Sequence, residues 1–440
     1  MRIVHISKSN FQGGATRAAT RLHRTLRGLG QDSSMFVRQS EIADPNLLVF
    51  KRLGTWAGLL RRGARLAYLR NDSRQIYTAI RTGLSEHFSD DRSEYGATPL
   101  DQLPDADIYN LHWVSDFVDY RRFLPVAARR APLVWTLHDM NPFTGGCHYD
   151  EGCGRYASQC GRCPQLSSKK DADLSRYIWR RKHAAYSKIA EGRLHMVAPS
   201  RWIAEEAKRS PLVDDRPITV IPNGLDVEIF RPSDRRMARH FLGLPSDKTI
   251  IMWAADSLGR RIKGRKLFLE AVEGLRGRQD LLVVSVGRGG PSEDLALPHV
   301  SLGYIADERL MALAYSAADV FVSSSLQESF GYTILESMAC GVPVVAFDGS
   351  AVSELVRNGV TGILAPLGDA AGLRSAILQT LSDPAKLASM GSNSRRIAVQ
   401  EYSLEIYARR YAALYEEVLA VDRASEKKAG HATSELATVR

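Results

Sequence analysis

Apolar residues in this chain fall in short unbroken runs rather than in strict alternation. RIVHIS, SSMFVR, ADIYNLHWV, PLVWTLHD and HMVAPS are each bounded by polar or turn residues, and amphipathic stretches lie between them. One of these, GGATRAATRLHRTLRGLG, has a helical pattern and stops at Gly30. Runs of strand length separated by helical patterns predict βα units around a parallel sheet. After VIPNGLDVEIFRP, which contains two prolines and an Asn-Gly turn, the pattern restarts. TIIMWAA, LLVVSVG, VSLGYI, DVFVSSS, VPVVAF and GILAP are six further candidate strands.

The expected fold class is therefore α/β, with two doubly wound, Rossmann-like domains. The first is expected over 1–215 and the second over 216–401. YSLEIYARRYAALYEEVLAV, 402–421, has the periodicity of an amphipathic helix and is expected to pack back towards the first domain. Residues 422–440 show no periodic apolar face and are expected to be disordered. Ligands of such folds bind at the carboxyl ends of the strands, often between domains.

Composition narrows the class. A chain of 440 residues with 44% hydrophobic and 25% charged content is an ordinary globular protein, too long for one core. No apolar run approaches the roughly 18 residues of a membrane span, and the N-terminus resembles a first strand more than a signal peptide. A cytoplasmic location is the expectation. The net charge of +10 suits nucleic acid, an anionic membrane surface or a phosphorylated ligand without choosing among them. Part of it is concentrated in KRLGTWAGLLRRGARLAYLR, 51–70, a basic amphipathic pattern containing Trp56. That pattern fits a peripheral contact with a membrane, and equally a helix packed on its own domain with a solvated basic face.

The most specific stretch is SSSLQESFGYTILESMACGVPVVAF, 323–347. An apolar strand runs into a loop, a helix starts near Gly331, and Gly341 ends it before another apolar strand. A helix start at a strand's carboxyl end suits anions, yet Glu328 precedes it and Glu336 lies inside it. With IPNGLD at 221–226, LGYIADERLMALAYSAADVFV at 302–322 and VSELVRNGVTGILAP at 352–366, the stretch resembles the signature of retaining glycosyltransferases of family 4. The likeness covers the second half almost throughout and the first half more loosely.

That resemblance implies a GT-B fold, in which two Rossmann-like domains face each other across a cleft. It also implies transfer of a sugar from a nucleotide-diphosphate sugar to a glycan or lipid-linked acceptor, as in bacterial polysaccharide biosynthesis. Each ligand part has chemistry to match. Backbone amides of Phe330, Gly331 and Tyr332 suit the diphosphate, and carboxylates suit diols. The resemblance places Glu336 on the ribose, Glu328 on the transferred sugar, and Lys263 with an arginine on the leaving diphosphate. Five positions before Lys263 stands Leu258 where the family has that arginine, so Arg261 or Arg260 is the substitute. In the first half the resemblance assigns Gly13 and Gly14 to a donor-facing turn and His138 to the donor sugar. His112 and Trp113 are weaker, acceptor-side candidates. It implies no catalytic metal and front-face attack without a protein base. The Asp-x-Asp pairs Asp105–Asp107 and Asp171–Asp173 do not alter this. Asp107 precedes its strand, and Asp173 has the position of a helix cap.

Four of the five cysteines, Cys147, Cys153, Cys160 and Cys163, lie in an insert over 147–163. In a cytoplasmic chain this spacing points to structural zinc, with disulfides or free thiols as the alternative. Cys340 has the context of a small core residue. Two other functions remain open at this stage: a same-fold nucleotide-sugar epimerase, and a zinc-containing nucleic-acid-binding protein.

Overall fold

Every apolar run predicted as a strand joins one of two wholly parallel sheets. The structure is a computed structural model describing residues 1–10, 13–41, 44–51, 59–60, 62–67, 86–289 and 295–438, with side chains as far as 424. The chain divides into two units. Met1–Pro199, Ile203–Ile221 and Tyr407–Arg440 form the first, and Ser200–Trp202 with Pro222–Ile406 the second.

The first sheet contains β1 (Arg2–Ser9), β2 (Asp32–Gln39), β3 (Leu47–Val49), β4 (Ile108–Leu111), β5 (Leu133–Thr136), β6 (Leu194–Ala198) and β7 (Ile218–Val220). Their order is β3-β2-β1-β4-β5-β6-β7. The second contains β8 (Thr249–Ser257), β9 (Leu281–Arg288), β10 (His299–Ser301), β11 (Val320–Ser323), β12 (Val344–Asp348) and β13 (Gly362–Pro366), in the order β10-β9-β8-β11-β12-β13. Each order reverses beside its first strand, so the switch points lie between β1 and β4 and between β8 and β11. Ligand sites of doubly wound sheets form at such points.

Alternate residues of each strand enter opposite cores. Ile250, Met252 and Ala254 of β8 pack with Phe321 and Val344 on one face. Ile251, Trp253 and Ala255 pack with Val322 and Val345 on the other. This double burial explains why the strands read as continuous apolar runs.

The structure departs from expectation in two places. First, β7 pairs with β6, Met196 opposite Ile218, so the first sheet runs past the expected 215/216 boundary. Second, the last helix spans Leu404–Thr438 and includes residues expected to be disordered. Its Ala-, Glu- and Lys-rich end has high helix propensity even without an apolar stripe. Tyr407, Tyr411, Leu414, Tyr415 and Val418 of the same helix complete a core with Ile3, Ile108, Val134 and Val197 of the first sheet. Tyr411 Oη and Thr136 Oγ1 are 2.9 Å apart, and Asn110 Nδ2 donates to Tyr415 Oη at 2.5 Å.

Most of the predicted basic segment 51–70 lies outside the described residues. Where it is described, Arg62 pairs with Glu94 and Arg65 with Asp119, while Leu59 and Leu60 are 50% and 71% exposed. Among the described residues no helix is long and apolar enough to cross a membrane.

Candidate active site

At the switch point of the second sheet, the loops after β8 and β11 are bonded to each other. Leu326 N donates to Ile262 O at 2.7 Å, and Ser324 Oγ donates to Lys263 O at 2.8 Å. Trp253 Nε1 in turn donates to Ser324 Oγ at 3.2 Å. Gly264 makes the approach possible: its φ is +65°, and a Cβ there would lie 1.9 Å from Ser324 O. The consequence is a charge pair. Lys263 Nζ donates to Glu328 Oε1, which also accepts from Ser325 Oγ at 2.9 Å. Both side chains are largely buried, 18% and 10% exposed. The Glu328 backbone is fixed too, its amide donating to Ser350 Oγ at 3.0 Å and its carbonyl accepting from Ala351 N at 3.2 Å.

Gly331, with φ +101°, turns the loop into the helix Tyr332–Ala339. A Cβ at Gly331 would press on Ile334 Cδ1 and Leu355 Cδ1 at 3.3 and 3.4 Å. The first amides of a helix have no intrahelical partner, so this end offers donors and a positive dipole to an anion. The ring of Phe330 belongs to the core, and only its backbone is placed for such a role. Tyr332 Oη donates to Gly224 O at 3.4 Å. Glu336 is buried, and its Oε2 accepts from Tyr315 Oη at 3.1 Å. Arg261 opens the short turn Arg261–Lys263 and is exposed, whereas Leu258 is fully buried in the core. Ser325, Ser350 and Tyr315, which set the two carboxylates, were not singled out by the sequence. A serine run at a strand end and a tyrosine on a neighbouring helix have no distinctive signal.

In the first unit, Gly13 adopts φ +86° at the start of the helix Gly14–Gly28, and among the described residues nothing lies within 4 Å of where a Cβ would stand. The strand ends bring histidines together. His5 Nδ1 and His112 Nε2 are 3.0 Å apart, and His112 Nδ1 and His138 Nε2 are 2.9 Å apart. Burial depresses all three, His138 to about 4 and the other two well below the ordinary imidazole value. His138 lines a recess of about 220 Å3 with Trp113, Ser115 and Asp139. Asp139 Oδ2 pairs with His148 Nδ1 at 2.7 Å, and this pairing holds its carboxyl below the usual range. Asp107 bonds the backbone of Arg2 at 2.7 Å ahead of β4, and Asp173 caps the helix Leu174–Tyr186, as their positions predicted.

Cys147, Cys153, Cys160 and Cys163 are free thiols around one cavity of about 290 Å3. Burial pushes the thiols of Cys160 and Cys163 up, to about 12 and about 11, against the opposing influence of the backbone amides of Gly145 on the first and of Leu166 and Gln165 on the second. Among the described residues, however, no three His, Cys, Asp or Glu side chains converge as a metal-ligating set. Cys340 is a buried core residue.

The family description Glycosyltransferase Family 4 matches residues 12–229, and Glycosyl transferases group 1 matches 248–383. The lipopolysaccharide core biosynthesis mannosyltransferase LpsB of Rhizobium meliloti is 32% identical over 254 residues, 54% of this chain and 70% of that protein. This chain belongs to glycosyltransferase family 4. A D-inositol 3-phosphate glycosyltransferase of Arthrobacter is 30% identical to this family member over 64% of each chain. The match to the corresponding protein of Paenarthrobacter aurescens spans 48% of that protein at 33% identity. The chain thus spans about half the length of several of the curated relatives it matches. Among solved structures, sucrose-phosphate synthase from Thermosynechococcus elongatus superposes with a TM-score of 0.65 at 19% identity, covering 96% of this chain and all of that one. HepE of Anabaena, in complex with UDP and glucose, gives 0.62 at 19% identity, over 94% and 99% of the two chains. These likenesses establish the GT-B fold class of two Rossmann-like domains.

Proposed function

We propose that this family 4 member transfers a sugar, with retention, from a nucleotide-diphosphate sugar to a glycan or lipid-linked acceptor in bacterial polysaccharide biosynthesis. The observation carrying this reading is the Lys263–Glu328 pair at the switch point of the second sheet, directly before the Gly331 helix start. Cleavage of a sugar–phosphate bond leaves negative charge on the diphosphate. Lys263, with Arg261 beside it, supplies fixed positive charge there, and the amides of Phe330, Gly331 and Tyr332 supply donors. Glu328 then trades its bond to Lys263 for the hydroxyls of the transferred sugar. Glu336, set by Tyr315, is the carboxylate for the ribose diol. His138 and the Gly13–Gly14 turn are the donor contacts assigned to the first unit. No protein base is required if the departing phosphate takes the acceptor's proton. With cationic side chains and amides in these positions, the reading needs no catalytic metal.

Relatives acting on inositol phosphate and on lipopolysaccharide core support a polar glycan or lipid acceptor, and the HepE complexes make UDP the first nucleotide to test. The epimerase and nucleic-acid readings have no support in the comparisons. The test is thermal unfolding with UDP, GDP and ADP, each with and without EDTA. A nucleotide at 100 times its Kd adds about 2.7 kcal/mol. Stabilisation by one nucleotide, unchanged by the chelator, is expected. Glu336→Ala should weaken that shift, while Glu328→Ala should mainly lower the transfer rate. Full activity in both variants would overturn the assignment.

Two accessory roles belong to the same reading. The four cysteines line one cavity, and we assign the insert a structural zinc, around which the four sulfurs must draw together. One zinc per chain by elemental analysis, lost in Cys160→Ser, is the expected result. The exposed Leu59 and Leu60 within the basic segment fit peripheral attachment to the inner face of the plasma membrane. Anionic vesicles should co-sediment the protein and neutral ones should not.

A further inference from the structure

The switch point of the first sheet is spanned by imidazoles. His5 lies within β1, His112 just past β4 and His138 just past β5, three neighbouring strands. The bonds of 3.0 and 2.9 Å join them in series, and both ring nitrogens of His112 are used. A neutral imidazole has one N–H and one lone pair. A series passing through both nitrogens of the middle ring must therefore run in one direction.

The inner end decides which. His5 is fully buried, and among the described residues its Nε2 has no hydrogen-bond partner. If the bonds ran inward from His138, the last N–H would be His5 Nε2–H, a donor sealed in the core. If they run outward, His5 Nδ1–H donates to His112 Nε2 and His112 Nδ1–H donates to His138 Nε2. Only a lone pair is then stranded at His5. A buried N–H without an acceptor is the rarer defect in folded proteins. Protonating the series instead would bury a positive charge.

We propose that His5 and His112 are positioning residues that hold His138 as the neutral tautomer with its proton on Nδ1, so that it meets a sugar hydroxyl oxygen as a hydrogen-bond donor. This deepens the assignment of His138 to the donor sugar and rests on it for its functional meaning. The tautomer itself does not depend on that assignment, because it is present in the ligand-free protein. His138 accordingly serves to orient the ligand and takes no proton from it.

The test is nitrogen-15 NMR of the histidine-labelled full-length protein without ligand, near pH 7.5. The His138 signal is assigned by its loss in His138→Asn. Expected is a protonated-type Nδ1 and a bare-type Nε2 at His138. His5→Asn places an amide N–H where Nδ1 was and should preserve that pattern, together with the KM for the nucleotide-sugar. His5→Leu removes the donor, so His138 should become a mixture of tautomers and KM should rise several-fold with kcat changing less. A wild-type His138 protonated on Nε2, or a tautomer unaltered in His5→Leu, would overturn the proposal. Should His5→Leu not fold, the wild-type spectrum decides alone. Loss of nucleotide-induced stabilisation with the expected tautomer intact would instead count against the donor-site reading.

Discussion

A methyl group at position 264 would sit 1.9 Å from the carbonyl oxygen of Ser324, and the residue's φ of +65° disfavours any side chain. Gly264→Ala must therefore part the two loops that bring Lys263 to Glu328. Urea denaturation should show a loss of about 2 kcal/mol or more, and the nucleotide-induced thermal shift should shrink with it. The charge pair permits a sharper comparison. Lys263→Met and Glu328→Gln each leave a partner in a mostly buried place, whereas the double variant leaves neither. The double variant should be more stable than the sum of the single losses predicts, while transfer stays abolished in all three. At this scale Lys263, Glu328, Gly331 and Glu336 were legible because their types and spacing sit inside a strand–loop–helix pattern. Ser325 and Ser350 were not, since a serine hydroxyl placed by tertiary contact looks like any other serine. Phe330 was legible only in part: its backbone lies where expected, but its ring is core.

Among elements, the helix Leu174–Tyr186 shows how a cap can serve two structures. Asp173 Oδ1 accepts from Arg176 N at 3.1 Å, and Oδ2 accepts from Cys163 N at 2.8 Å. Asp173→Ala should cost about 1–2 kcal/mol by chemical denaturation, at the upper end for a cap, and should also speed thiol labelling at Cys163. Strands with continuous apolar runs announced themselves, all six of the second sheet included. The three-residue edge strands β3 and β7, partly exposed, did not; β10 is equally short and at an edge, but its apolar run VSLGYI continues beyond the strand. The end of the last helix was missed for a different reason. Its side of the pattern has no apolar face, and only local propensity extends it.

For the molecule as a whole, buried neutral imidazoles set the response to acid. Burial depresses His23, His138 and His195 to about 4. Each binds a proton at roughly 6.5 when unfolded, so between about 6.5 and 4 the unfolded chain holds more protons. Stability must then fall as pH is lowered through that window. His195, on β6 and bonded to Thr219 Oγ1 at 2.8 Å, isolates one contribution. His195→Gln should flatten the dependence of ΔG on pH by up to ~1.4 kcal/mol per pH unit, measured by denaturant titration at successive pH values. Ending the chain after Ser403 removes Tyr407, Tyr411 and Tyr415 from beneath the first sheet. Limited proteolysis should then cut the first unit while the second resists. The same arrangement sets a timetable for synthesis. The first unit's core contains residues from both ends of the sequence, so on the ribosome its sheet must wait while the entire second unit is made, on the order of 10–40 s at ordinary elongation rates. The half translated first is the half completed last, and during that interval its uncovered β-sheet is the surface a chaperone would meet.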